Sequence, residues 1–195
     1  MLLNIISVTV LLAGIAGTAN AESKRQLDAH LHGHGKLNVA IEGQSLVIEL
    51  EVPGADIVGF EHAATSDEDK AAVEAARKTL ATATSLFSPP EAAGCILGEA
   101  KVALSGDDEH HKKNHASHGH ASHGGDREKG SEHSEFHAEY AFKCTDISAL
   151  RSIGFPYFDQ FPNAEELNVT LITDKGQKEF EVNRDRNRID LHGMM

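Results

Sequence analysis

The chain has 195 residues, with 30 acidic against 18 basic side chains and a formal net charge of −12 when histidine is neutral. That balance argues against nucleic acid and anionic membrane surfaces as partners and suits a soluble protein that attracts cations. The length allows one domain with a real core, and two cysteines are too few for a disulfide scaffold, whereas 13 histidines are many.

Residues 1–21 carry an apolar run and end in Ala19-Asn20-Ala21, the small-residue cleavage pattern of a secretory signal peptide. Export with cleavage is therefore expected, leaving residues 22–195 as a single mature domain. No apolar run of that length follows, so no membrane insertion is expected after cleavage.

The mature chain opens on Ala29-His30-Leu31-His32-Gly33-His34, whose alternate histidines share one face of an extended segment. Leu37, Val39 and Ile41 then alternate with polar or small residues, as do Leu46, Ile48 and Leu50. Gly43-Gln44 between them suits a two-residue type II′ turn. It sets Ile41 opposite Leu46, Val39 opposite Ile48 and Leu37 opposite Leu50, with the apolar sets on one face. Gly59-Phe60-Glu61-His62 follows, a single Glu-His pair. Over residues 65–87 the period lengthens: Val73, Ala76, Leu80, Thr84 and Phe87 recur at helical spacing. Thr65-Ser66-Asp67-Glu68 resembles a capping box, and Pro89-Pro90 stops the helix.

Two arms of equal length, Cys95–Leu104 and Glu135–Cys144, flank an insert at residues 105–134. The arms read as a third hairpin with the insert as its long loop. In an exported chain the isolated cysteine pair, Cys95 and Cys144, is most simply a disulfide. Placing the cysteines opposite each other leaves Lys101 on the apolar face. A one-residue slip pairs Leu104 with Phe136 and Val102 with Ala138, and a bulge at Gly98 satisfies both. The insert holds seven histidines and no Val, Ile, Leu or Phe, so it cannot build a core and is expected to be disordered. A short helix is expected over residues 146–153, and Phe155, Phe158 and Phe161 are expected in the core. A last hairpin about Lys175-Gly176 sets Leu171 against Phe180 and Val169 against Val182, before a short strand at residues 188–191. The predicted class is α+β: mainly antiparallel β-hairpins packed with one long amphipathic helix and a disordered His-rich insert.

A neutral imidazole is a good ligand for zinc, copper and nickel, and histidine-rich tracts in such a setting read as metal sites. The candidate ligands are His30, His32 and His34, then His62, then His110, His111, His115, His118, His120, His123 and His133. In the insert the five-residue unit His-Ala-Ser-His-Gly occurs twice in succession, from His115 and from His120. Four imidazoles within nine residues can wrap an ion at the cost of ordering the chain, so several modest sites are expected. No H-E-x-x-H, G-x-S-x-G, phosphate loop or dinucleotide fingerprint is present, so neither catalysis nor an organic cofactor is expected. Three rival readings are a nickel or copper binder, an interaction module whose histidine loop is a pH-sensitive docking arm, and a metal-dependent hydrolase, which the missing motifs disfavour.

Ala29-His30-Leu31-His32-Gly33, the first hairpin with Pro53, Gly59-Phe60-Glu61-His62-Ala63, the central histidine insert and the C-terminal hairpin carrying Gly176-Gln177 together resemble the ZrgA family of bacterial periplasmic proteins. Ala64 stands where that family often has proline. The resemblance spans most of the mature chain. It implies zinc binding in the periplasm, in support of a zinc ABC transporter and its solute-binding protein.

Overall fold

A computed structural model of the protein describes residues 33–105 and 133–195. The expected signal peptide, His30, His32 and the insert histidines from His110 to His123 lie outside the described residues.

Strands β1 (His34–Glu42) and β2 (Ser45–Pro53) form the first hairpin. Their pairing sets Ile41 against Leu46, Val39 against Ile48 and Leu37 against Leu50, as the apolar alternation requires. A short helix α1 (Gly54–Val58) follows directly, and helix α2 (Asp67–Ala81) comes next. The capping box on α2 is one residue later than the sequence suggests. The Ser66 hydroxyl accepts the Asp69 N–H at 3.0 Å while the Asp69 carboxylate accepts the Ser66 N–H at 3.4 Å.

Helix α2 also stops short of Phe87. Beyond Ala81 the chain tightens into a 3-10 turn, with the Thr82 N–H on the Thr79 carbonyl and the Ser85 N–H on the Thr82 carbonyl. The hydroxyls of Thr79 and Thr82 back-bond to the Ala75 and Lys78 carbonyls, competing with the helical ladder. Ala83, Leu86 and Phe87 still face inward, so the periodicity overran the helix.

Strands β3 (Cys95–Leu104) and β4 (Glu135–Cys144) pair with Cys95 opposite Cys144 and Leu104 opposite Phe136. The register shifts between Leu97 and Glu99, so the bulge falls at Gly98. The expected helix at residues 146–153 is absent. That stretch holds a single 3-10 turn at Ile147–Ala149 and then strand β5 (Ser152–Gly154), which pairs with β8 (Arg188–Asp190). A helix of barely two turns has a costly nucleus and little to repay it.

A short helix α3 (Tyr157–Gln160) precedes β6 (Glu166–Thr173) and β7 (Gly176–Asn183). Here the predicted register was wrong by two residues. Val169 faces Phe180, Leu167 faces Val182, and the turn lies between Thr173 and Gly176. A two-residue slide returns the same side chains to the same faces, so alternation cannot detect it. The turn decides: the Lys175 N–H bonds the Thr173 hydroxyl at 3.1 Å, and Gly176 takes φ +131°.

The main sheet has the order β3-β4-β2-β1-β6-β7. Hairpins account for most of it, but β1 and β6 run parallel, so the sheet is mixed rather than built from hairpins alone. One face is buried. Leu37, Ile48, Phe136, Tyr140 and Leu167 meet Val73 and Leu80 of α2, Phe87, and the cluster Phe155, Tyr157, Phe158 and Phe161. Each such side chain contributes roughly 1.5–3 kcal/mol relative to exposure. The Tyr140 hydroxyl donates to the Leu80 carbonyl at 2.9 Å, joining sheet to helix. The other face is polar, with Lys36, Asn38, Glu49, Glu51, His137 and Glu139 in adjacent cross-strand positions.

Candidate functional site

Strand registers place the start of β1, the end of β2, the end of β3, and the starts of β4 and β6 at one end of the sheet. The disulfide between Cys95 and Cys144 lies at the opposite end, beside the β1–β2 turn.

At the first end α1 is the hub. The Asp56 carboxylate, buried, accepts the Gly33 N–H at 2.8 Å. The Gly33 carbonyl in turn accepts the N–H groups of Glu165 and Glu166 at 2.9 and 2.8 Å. Gly54 at the start of α1 donates its N–H to the Ser134 carbonyl at 2.8 Å, and Ser134 donates to the Glu61 carbonyl at 2.9 Å. The Ser105 N–H reaches the Glu135 carbonyl at 2.8 Å. Both ends of the insert and the point where the N-terminal histidine arm joins the sheet therefore meet around one five-residue helix.

Three imidazole–carboxylate pairs sit at this end among the described residues. His34 Nδ1 is 3.3 Å from Glu166 Oε1, His133 Nδ1 is 2.5 Å from Glu61 Oε2, and His137 Nε2 is 3.1 Å from Glu135 Oε2. A carboxylate on one ring nitrogen fixes the tautomer and orientation of the ring and raises the basicity of the other nitrogen, which is the arrangement of carboxylate–histidine–metal sites. His34 projects from the polar face of β1, in line with Lys36 and Asn38. His62 is turned elsewhere: its ring stacks on Phe60 at 4.6 Å between centroids, and its Nδ1 is 3.1 Å from the Ala63 carbonyl. Sequence placed Glu61 and His62 together as one feature; the fold gives Glu61 to His133 instead. The pairing of His137 with Glu135 escaped notice, although an i, i+2 spacing on one strand face was a signal for it.

No three His, Cys, Asp or Glu side chains among the described residues are grouped to hold a metal ion. The described part of the site consists of paired donors rather than a closed cage. Beneath it, burial holds the Tyr157 phenol well above its ordinary range, with the Asp56 charge adding to the effect.

Fold and site define a class: a disulfide-linked α+β sheet protein that presents imidazole–carboxylate pairs at one end of its sheet. No described helix is long and apolar enough to cross a membrane. Residues 29–191 match the family described as ZrgA family zinc uptake protein, and the chain belongs to that family. Its role is thus connected with zinc. No curated protein matches the chain.

Proposed function

We propose that this protein captures or buffers zinc in the periplasm and supports a zinc ABC importer through that importer's solute-binding protein. One observation carries the reading. The histidine-bearing arm joins the sheet at Gly33, the insert joins it at Ser105 and His133, and α1 holds both junctions through Asp56 and Gly54. His34 and His133, far apart in sequence, thereby stand at one end of the sheet, each paired with a carboxylate. Zinc takes three or four ligands. His30, His32, His34 and the insert histidines supply the donors that the pairs alone do not. Composition predicts that the insert orders only on binding, which gives modest affinity and suits a protein that passes its metal on. The disulfide fits an oxidising compartment such as the periplasm.

The test is calorimetric titration of the full chain with zinc, nickel and copper. Zinc should bind at more than one site near pH 7.5. The affinity should fall steeply toward pH 5.5, because proton and metal compete for the same nitrogen and a free imidazole titrates at about 6.5. A chain that binds nickel but not zinc would point to a nickel protein. A flat pH response would place the metal on carboxylates.

A further inference from the structure

We propose that Glu61 is a positioning residue which presets His133 as a zinc ligand at the stem of the insert. The inference rests on the zinc-binding reading above. The side chain of Glu61 is 11% exposed and that of His133 is 56% exposed, so the carboxylate forms the inner partner and the imidazole the outer one. Their backbones are fixed relative to each other, because the Ser134 N–H bonds the Glu61 carbonyl and the Ser134 carbonyl receives the Gly54 N–H. The pair therefore does not depend on two long side chains finding each other.

An ionised carboxylate only accepts hydrogen bonds, so the 2.5 Å contact requires the proton on His133 Nδ1. In the neutral ring the lone pair is then on Nε2, across the ring from the carboxylate. That is the tautomer a metal ligand of this type needs, held before the metal arrives. Free imidazole side chains interconvert between tautomers and rotamers and must be ordered on binding; His133 meets that requirement in advance.

A purely structural pair would fasten the stem and leave zinc binding unchanged, so the experiment separates the roles. In the full chain, nitrogen NMR of the metal-free protein reads the His133 tautomer, and zinc titration followed by cobalt(II) spectroscopy reads the site. His133 should carry its proton on Nδ1. Glu61→Ala should release that preference and weaken the tightest zinc site about 10–100-fold. Glu61→Gln, which keeps an acceptor oxygen but not the charge, should hold the tautomer and lose less affinity. His133→Ala should remove the site's cobalt signature. If Glu61→Ala unfolds the stem, the Glu61→Gln affinity decides. Unchanged zinc affinity in the Glu61 variants, or an unchanged cobalt spectrum in His133→Ala, overturns this inference while the wild-type titration leaves the zinc reading standing. Failure of the wild-type chain to bind zinc overturns both.

Discussion

Gly54 and Ser134 meet with no room for a methyl group between them. A Cβ on Gly54 would lie 2.3 Å from the Ser134 hydroxyl, 2.7 Å from the Phe60 carbonyl oxygen and 3.0 Å from the Ser134 carbonyl oxygen. Two of those atoms are backbone and cannot rotate aside. Gly54→Ala should therefore push α1 away from the insert stem and cost about 1–3 kcal/mol, in the range of overpacking. Thermal unfolding measures it, and an unchanged melting temperature would show that the stem yields freely.

Reduction of the Cys95–Cys144 bond should lower stability by about 2–5 kcal/mol, because the bond closes a long loop, its ends 49 positions apart, and restricts the unfolded chain. Zinc stoichiometry should stay the same, since the bond lies at the end of the sheet away from His34 and His133. Melting curves and zinc titrations with and without reductant check both halves. A stoichiometry that changes on reduction would bring the thiols into the metal site.

Replacing residues 106–132 with a short Gly-Ser linker should leave the fold intact and reduce the number of bound zinc ions. The stem is closed by its own bonds: Ser105 to Glu135 in both directions at 2.8 Å, and Ser134 to Glu61 and Gly54. Shortening a surface loop changes closure entropy only slightly. Circular dichroism and calorimetry read the two effects. Collapse of the melting transition, or full zinc stoichiometry without the insert, would contradict the expectation.

Stability should fall above pH 10. Burial pushes the phenols of Tyr140 and Tyr157 upward in the folded protein. In the unfolded chain they ionise near pH ~10, so above that value the unfolded state holds fewer protons than the folded one. The stabilisation is complete below pH ~10 and declines as pH rises, by up to about 1.4 kcal/mol per unit for each tyrosine. Tyr140→Phe should flatten part of that slope while costing about 1 kcal/mol at neutral pH through the lost bond to Leu80. Tyr157→Phe should cost little, because the Tyr157 hydroxyl has no hydrogen-bond partner among the described residues. Denaturant titrations between pH 8 and 11 test all three statements.

Local information in the chain determined a good deal. Alternation at Leu37–Val39–Ile41 and Leu46–Ile48–Leu50 fixes a face, and a two-residue turn at Gly43-Gln44 fixes the register, so the first hairpin is legible without any tertiary contact. The bulge at Gly98 was legible too, because the disulfide and the apolar pairs of β3 and β4 made two demands that only an extra residue satisfies. Composition marked the histidine insert, most of which lies outside the described residues. What tertiary structure alone decided involves residues distant in sequence. The parallel pairing of β1 with β6 brings His34 to Glu166, and no local pattern encodes a partner so far along the chain. The register of β6 and β7 slid by two because such a slide preserves every face. Above all, Glu61 belongs to His133 rather than to its neighbour His62, since α1 turns the chain after Pro53 and lays residue 61 against the stem of the insert. Sequence supplied the candidate imidazoles; the packing of α1 against Ser134 and Gly33 determined which described imidazoles and carboxylates stand together.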